Sequence, residues 1–326
     1  MKKRILIYTL MLVAGYMVMH SCKPRQKTPV IGLLMDQFNV ERWAYDTTYF
    51  IKTVNELGGK VICLAANGDA DKQMEQAKQL LEKNADVFVI LPVDAKKAAD
   101  IVRMVKKEYG KYVIAYDRLI QSAYIDYYVS FDNAKVGELQ AEYIITRLQK
   151  GNIALIGGPP SDQNSFYLKA GQSSVLQPYI ERGDVKVVYN KMVDDWTFEE
   201  GYRLANECLQ NNQVDAVIAG NDLLARGVIK ALQEKGLAGK VLVAGQDADS
   251  QACENIVLGL QTMSVHKPIM DIASSAARMA IDLANGKEIT NATFSLNNGF
   301  KMVPSLLLNP KVVNKGNIAM EIIPEK

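Results

Sequence analysis

Short apolar runs alternate with amphipathic segments along most of this sequence, from about residue 29 to residue 285. The runs are apolar on both faces, as expected for strands that helices cover on both sides. The segments between them repeat their apolar residues at helical spacing. This strand–helix–strand order predicts an α/β fold with parallel sheets and right-handed crossovers. The runs begin at Val30, Lys60, Val87, Tyr112, Tyr127, Ile153, Val185, Ala216 and Val241.

Two lobes are predicted rather than one sheet. Nine strands are more than a sheet of ordinary size contains, and the 326 residues suit two domains of about 100–200 residues each. Candidate crossings between the lobes, which together would form a three-stranded hinge, are residues 130–133, 262–266 and 296–299. The boundaries that follow are 29–132 plus 266–295 for the first lobe and 133–265 plus 296–326 for the second.

The N-terminus has the features of a secretory signal peptide. Three basic residues at positions 2–4 precede an apolar stretch of about 15 residues, shorter than the ~20 that span a bilayer. Cys22 follows the small residue Ser21, as at the cleavage site of a bacterial lipoprotein. We expect residues 1–21 to be removed and residues 22–28 to form a lipidated linker. The protein would then lie on the periplasmic or cell-surface side, anchored to a membrane. A plain signal peptide with an incidental cysteine is the alternative.

Charge and cysteine content exclude several classes of protein. Three of the 38 Lys and Arg residues lie in the signal segment, which leaves 35 against 36 Asp and Glu. This balance gives no basic footprint for nucleic acid, and no helix-turn-helix precedes the first strand. Cys63, Cys208 and Cys253 lack the spacing of metal ligands, so no metal is expected. They are interpreted as small buried residues, with one disulfide left open.

The sequence also lacks the motifs of common enzyme classes. It has no GxSxG, GxGxxG or P-loop, and its two histidines are His20 and His266. We therefore expect no catalytic residue and no cofactor. A glycosidase with paired carboxylates is an alternative, because Asp and Glu are plentiful. The carboxylates at the predicted strand ends alternate with Arg and Asn, however, which suits ligand hydroxyls better.

Ten side chains follow the predicted strands, where ligands bind in open parallel sheets. Their carboxylate, amide and guanidinium groups match the donors and acceptors of sugar hydroxyls, and flat indoles can stack on a sugar ring. Taken singly, each has a plainer interpretation: Asp117 or Asp247 as a helix N-cap, a tryptophan as core, Lys267 as a solvated residue. Their shared location favours a ligand site. The candidate ligand-binding residues are Arg42, Trp43, Asp117, Arg118, Asp162, Asn164, Trp196, Asn221, Asp247 and Lys267.

Nine stretches carry a resemblance to a known family: residues 41–43, 65–68, 115–118, 130–140, 221–222, 245–249, 261–263, 267–268 and 296–299. Through them the chain resembles the periplasmic sugar-binding proteins related to ribose-binding protein, and in particular the members that bind D-xylose. The resemblance implies two Rossmann-like lobes joined by a three-stranded hinge, the type I periplasmic binding protein fold, with the sugar in the cleft.

The resemblance also implies roles for the ten residues. Trp43 and Trp196 would sandwich the sugar ring, and Lys267 would form the wall beside the hinge. Hydroxyl groups would be held by Arg42, Asp117 and Arg118 from the first lobe and by Asp162, Asn164, Asn221 and Asp247 from the second. The chain departs from the family pattern near the second-lobe loops, at Gln163, residues 165–167, residues 194–196 and Arg226.

The expected function is the capture of one monosaccharide, D-xylose or a similar pentose, by hinge closure of a monomer. A membrane partner would then recognise the closed form. That partner is either an ABC permease or a sensor histidine kinase, for which the chain would serve as a sugar-sensing module. A carbohydrate-processing enzyme is the remaining alternative.

Overall fold

The computed structural model describes residues 27–38 and 41–321. The predicted signal peptide, Cys22 and most of the predicted linker lie outside the described residues. The described chain forms two α/β lobes, each built around one mostly parallel sheet, as the sequence predicted.

The first lobe begins with strands and helices in alternation. Every residue of its third strand is buried, as expected where helices cover both faces of a sheet. Residue pairing places the first strand between the second and the third. The strands are β1 (Val30–Met35), β2 (Lys60–Ala65), β3 (Val87–Ile90), β4 (Tyr112–Tyr116) and β5 (Tyr127–Phe131); the helices are α1 (Glu41–Glu56), α2 (Ala70–Glu82) and α3 (Ala98–Tyr109).

The second lobe repeats this alternation. Its helices are α4 (Asn133–Leu148), α5 (Gln163–Glu181), α6 (Phe198–Asn211), α7 (Asp222–Glu234) and α8 (Ser250–Leu258). Its sheet has the order β13-β10-β9-β8-β6-β7, formed by β6 (Gly151–Gly157), β7 (Val185–Met192), β8 (Ala216–Ala219), β9 (Leu242–Asp247), β10 (Met263–His266) and β13 (Lys311–Asn314). Two glycines let α4 and α5 touch: a Cβ on Gly171 would lie 2.0 Å from the Ala134 carbonyl oxygen, and one on Gly137 would lie 2.1 Å from that of Leu168.

The chain returns to the first lobe after β10. Helix α9 (Ile269–Ala284) packs beside α1, and its buried Ile272 and Ala276 share a core with Phe50 and Val54. The hairpin of β11 (Phe294–Asn297) and β12 (Met302–Leu308) then completes a first sheet of order β11-β12-β5-β4-β3-β1-β2. A short helix, α10 (Ile318–Glu321), follows β13.

The last crossing between the lobes differs from the prediction. Residues 296–308 belong to the sheet of the first lobe, not to the second lobe, and the chain crosses at 309–310 to reach β13. The reason is pairing: β12 lies parallel to β5, with Ser305 opposite Tyr128, so it extends the first sheet. Similarly, His266 pairs with Asp247 in the second sheet, so the second crossing lies at 267–268.

Residues at or just after the ends of β1, β4, β6, β8 and β9 line a common cavity. The carboxyl ends of strands from both sheets therefore meet at one space between the lobes. Among the described helices, none is long and apolar enough to cross a membrane.

Candidate ligand-binding site

A cavity of about 40 Å³ lies between the lobes, and all ten side chains named from the sequence line it. Two glutamines, Gln37 after β1 and Gln246 near the end of β9, complete its lining. The cavity is narrow because side chains of the two lobes contact each other across it.

Arg42 is the centre of a buried ion network. It lies in the first turn of α1 and is 7% exposed. Its Nη2 donates to Asp117 of its own lobe, and its Nη1 donates to Asp247 of the other lobe at 3.4 Å. Lys267, at the crossing, places its Nζ 2.8 Å from the same Asp247 carboxylate. Charges from both lobes and from the hinge therefore meet at one point.

Arg118 makes a second connection between the lobes. Its Nη1 donates to Asp36 of β1's trailing loop at 2.8 Å and to the Pro92 carbonyl oxygen at 3.1 Å. Its Nε lies 2.9 Å from Oδ2 of Asp162 in the second lobe. That ion pair is not aligned as a hydrogen bond, so the Nε proton has no acceptor among the described residues. The Nε–H is thus a donor that a ligand could engage.

Asp117 and Asp247 occupy equivalent positions at the ends of β4 and β9. Both have a positive φ, 59° for Asp117 and 95° for Asp247, a backbone region that non-glycine residues rarely adopt. Such a conformation costs about 1–3 kcal/mol and persists where surrounding contacts enforce it. For Asp117, the hydroxyls of Tyr128 and Ser130 each donate to its carbonyl oxygen at 2.8 Å. Neither aspartate is a helix N-cap, so that plainer interpretation is wrong for both.

Two other candidate residues are helix N-caps instead. Asp162 caps α5 through Oδ1, which accepts from the Asn164 amide at 2.9 Å, and Asn221 caps α7 by accepting from Leu224. Both residues still line the cavity. Asp162 Oδ2 also accepts a hydrogen bond from the Trp196 indole at 3.2 Å. Capping fixes these side chains in place at the rim of the second lobe.

Asn164 joins the lobes through neutral hydrogen bonds. Its Nδ2 donates to the Asp117 carbonyl oxygen at 3.0 Å, while its Oδ1 accepts from Asn133 at 3.0 Å.

The two tryptophans have different surroundings. Trp43 is buried, and its ring is covered by the guanidinium groups of Arg42 at 4.5 Å and Arg118 at 5.7 Å from the ring centroid. Trp196 is partly buried and lies against two backbone glycines. A Cβ on Gly158 would lie 2.0 Å from its ring, and one on Gly220 would lie 2.9 Å away. These glycines therefore make the space that the indole occupies.

Some residues of the site were not among the sequence candidates. Gln246 anchors its amide nitrogen on the Gly220 carbonyl oxygen at 2.7 Å, which leaves Oε1 without a partner among the described residues. Asp222, behind Asp247, accepts from Gln261 and Ser264 at 2.7 Å each. Burial, together with nearby Asp249 and Asp247, raises the pKa of Asp222 well above its ordinary value. It is a positioning residue for the end of β9.

Asp46 was also missed, although its place four residues after Arg42 on α1 is a spacing typical of helical ion pairs. It accepts from Arg42 Nε at 3.3 Å and from the hydroxyl of Tyr116. Burial raises the pKa of Asp46 to about 7, even though Arg42 and the Tyr116 hydroxyl act to lower it. For Asp117, burial acts to raise the pKa, but Arg42, Lys267 and Arg118 hold it below its ordinary value. Of these two carboxyl groups, only Asp46 therefore titrates near neutral pH.

Comparison with known proteins agrees with this two-lobe geometry. A model of the periplasmic binding protein domain matches residues 31–288. The chain belongs to the periplasmic binding protein family. It is 44% identical over 297 residues to the D-xylose-binding periplasmic protein of Escherichia coli (strain K12), covering 90% of this chain and 89% of that protein. It is 42% identical over 318 residues to the protein of the same name in Haemophilus influenzae, covering 97% and 95%.

A solved structure gives the same architecture. An ABC transporter solute binding protein from Clostridium phytofermentans, with bound β-D-glucose, matches with a TM-score of 0.84 at 28% identity, covering 90% of this chain and 96% of that one. Because the family and these relatives are binding proteins, the chain is classed with binding proteins rather than enzymes, as the sequence predicted.

Metal and disulfide chemistry can be described for residues 27–38 and 41–321. Within them, no group of three His, Cys, Asp or Glu is arranged to hold a metal ion. Cys63, Cys208 and Cys253 are not joined by disulfides, and Cys208 is buried.

The contact between Gly158 and Trp196 gives a first prediction. In Gly158→Ala the added methyl group would lie 2.0 Å from the Trp196 ring, which is a steric clash. We therefore expect Trp196 to shift and the free energy of unfolding to fall by about 1–3 kcal/mol. Gly157→Ala is the matched control, because its nearest neighbour, Met192 Cγ, would be 3.7 Å away. Urea unfolding and tryptophan emission measure both effects. Equal behaviour of the two variants would show that Gly158 does not make room for the indole.

Asp46 gives a second prediction, on pH dependence. Its pKa rises from 3.8 to about 7 on folding, so between these values the native state binds more protons than the unfolded state. The stability that Asp46 contributes is therefore present at low pH and lost as the pH rises toward 7. Relative to Asp46→Asn, the free energy of unfolding of the native sequence should fall by up to about 1.4 kcal/mol per pH unit between about pH 4 and pH 7. Parallel stability curves for the two proteins would contradict this.

Proposed function

We propose that this periplasmic binding protein captures one monosaccharide, D-xylose or a similar pentose, in the cavity between its lobes. The observation that carries the proposal is the convergence of charged, amide and indole side chains from both lobes and the hinge on one buried cavity. The names of the relatives at 44% and 42% identity, both D-xylose-binding periplasmic proteins, support the choice of sugar.

The chemistry of the cavity suits a small polyol. Each sugar hydroxyl is both donor and acceptor, and the site offers guanidinium and ammonium donors beside carboxylate acceptors. Charge-assisted hydrogen bonds of this kind are about twice as strong as neutral ones. The unengaged Nε of Arg118 and Oε1 of Gln246 add one donor and one acceptor. A sugar lacking one hydroxyl would leave such a buried group unpaired, which is the basis of specificity.

Side chains of the two lobes contact each other directly across this cavity, so in this proposal a pentose enters as the lobes separate slightly. The contacts that must open are Arg42 with Asp247, Arg118 with Asp162, and Asn164 with the Asp117 carbonyl oxygen. Sugar hydroxyls would then lie between these partners and replace the direct ion pairs. In this proposal, the lobes then close around the sugar by a hinge motion. The charged groups that now contact each other would bind the sugar from both sides.

We assign the roles of the ten candidate residues on this basis. Arg42, Asp117 and Arg118 bind hydroxyls from the first lobe. Asp162, Asn164, Asn221 and Asp247 do so from the second, and Lys267 holds Asp247 from the hinge. Trp43 and Trp196 provide the apolar surfaces for the ring. Arg42 and Arg118 already lie over the Trp43 ring, so in this proposal the sugar stacks on the part of the ring that they leave uncovered.

The chain acts outside the cytoplasm, as its family and the periplasmic relatives indicate. We propose that the monomeric, sugar-loaded form is presented to an ABC permease, which is supported by a solved relative that is an ABC transporter solute binding protein. A sensor histidine kinase is the second candidate partner. We also propose that Cys22 carries the lipid anchor of the mature chain.

Sugar titration tests the proposed function. We expect D-xylose to change tryptophan emission and to raise the melting temperature, with ribose, arabinose, glucose and fructose as comparison sugars. Arg118→Ala and Asp247→Ala each leave a buried charge unpaired, which costs about 3–5 kcal/mol. Their affinity should fall by about a hundredfold or more.

Arg103→Ala is the control, because Arg103 is exposed on α3 and, among the residues that the structure describes, forms an ion pair only with neighbouring Asp100. Its affinity should equal that of the native chain. If none of the five sugars changed emission or melting temperature, the monosaccharide proposal would be wrong. Near-native affinity of Asp247→Ala would remove that residue from the site.

The proposed anchor has its own test. Cys22→Ser removes the thiol that would be acylated, so the protein should move from the membrane fraction to the soluble periplasmic or extracellular fraction. Sugar affinity should not change, because the site lies in the described lobes. A Cys22→Ser protein that stays with the membranes would contradict lipidation at this residue.

A further inference from the structure

One pole of the first lobe carries exposed aromatic side chains interleaved with lysines. We call this surface, formed by Tyr109, Tyr112, Tyr124, Phe300, Lys106 and Lys301, the aromatic–lysine face. Its four rings are between 42% and 62% exposed. A cluster of exposed rings is unusual for a soluble surface and commonly marks a site of interaction.

Contacts join five of these six side chains, and Tyr109 lies three residues after Lys106 on α3. Lys106 Nζ lies 5.6 Å from the ring centroid of Tyr112 and 5.1 Å from that of Tyr124. Lys301 Nζ lies 4.2 Å from the Tyr124 ring, and Phe300 meets Tyr124 edge to face at 6.3 Å. Asp126 holds Lys106 with two contacts of 2.6 and 2.7 Å. The rings are therefore ordered and flanked by ammonium groups.

The face lies at the end of the lobe away from the cleft. Tyr112 begins β4, whose carboxyl end carries Asp117 of the candidate site. Met302 begins β12, which runs parallel to β5, so the β11–β12 turn with Phe300 also lies at the amino ends of the parallel strands. The face is thus separate from the sugar site.

The described chain enters the fold beside this face. Lys27 Nζ lies 2.7 Å from Asp86, and Lys111, which directly precedes Tyr112, lies 3.9 Å from the same carboxylate. Cys22 is five residues before Lys27. Five residues span at most about 18 Å when fully extended. An acyl group on Cys22 would therefore hold a membrane close to the face.

We propose that the aromatic–lysine face lies on the lipid headgroups of the membrane to which the chain is anchored. Tyrosine rings favour the membrane–water interface, because one end is apolar and the other is polar. The ammonium group of Lys301 attracts anionic headgroups, whereas the charge of Lys106 is balanced by Asp126. A diacylated Cys22 would hold the chain on the membrane, and a surface of this kind would fix the orientation of the lobe there. The contact would hold the lobe by the pole opposite its cleft.

Quenching by brominated lipids tests this contact. The full chain carrying Phe300→Trp would be incubated with vesicles of equal parts phosphatidylglycerol and phosphatidylcholine, with and without bromine on the acyl chains. Leu258→Trp is the matched control, since Leu258 is 69% exposed at the end of α8 in the second lobe. Trp43 and Trp196 of the cleft contribute the same background to both variants.

We expect the added tryptophan at position 300 to be quenched several-fold more than the one at position 258. The contact rests on the proposed anchor at Cys22. In chains that float with the vesicles, equal quenching at the two positions or quenching at neither would overturn the contact alone; a chain that does not float would overturn the anchor and the contact together. Tyr124→Trp provides a second reporter if Phe300→Trp fails to fold. Adding Lys301→Glu to the reporter should reduce quenching while D-xylose affinity stays native; unchanged quenching would show that the lysine has no part in the contact.

Discussion

The pairing of buried charges between the lobes is the interaction on which this structure depends. Arg42 is almost fully buried, and it reaches Asp117 within its lobe and Asp247 across the cleft. An unpaired buried charge costs several kcal/mol, so each of these groups requires partners at close range. Lys267 adds a positive charge beside Asp247 from the crossing itself. The proposed sugar replaces these cross-lobe contacts with hydroxyl groups of suitable geometry, which couples ligand binding to the distance between lobes.

Backbone geometry places these charges. Asp117 and Asp247 adopt positive φ angles at the ends of β4 and β9, a cost that the surrounding hydrogen bonds offset. Gly158 and Gly220 remove the side chains that would otherwise occupy the position of the Trp196 ring. The site thus combines a strained strand end in each lobe with a space, bounded by two glycines, that the Trp196 indole occupies. Both features lie in loops after strands, where the regular sheet no longer dictates the backbone.

Much of the architecture follows from the sequence because fully buried parallel strands and amphipathic helices have distinct patterns. The strands from Val30 to Val241 carry that pattern. The β11–β12 hairpin does not, since β11 is largely exposed at the sheet edge, and its assignment to the second lobe was wrong. The ten candidate residues meet at one cavity because parallel strands end on the same side. Asp46 and Gln246 were missed because their residue types and positions resemble those of ordinary capping or solvated side chains, and only tertiary packing buries them.

The proposed replacement of the cross-lobe ion pairs by a sugar can be tested by measuring the distance between the lobes with and without D-xylose. Spin labels at the exposed positions Glu75 on α2 and Glu199 on α6 would report this distance by pulsed electron paramagnetic resonance. We expect D-xylose to shift this distance distribution, because the sugar replaces the direct cross-lobe ion pairs, and we expect Asp247→Ala to prevent the shift. A distribution that D-xylose leaves unaltered in the native sequence would contradict it.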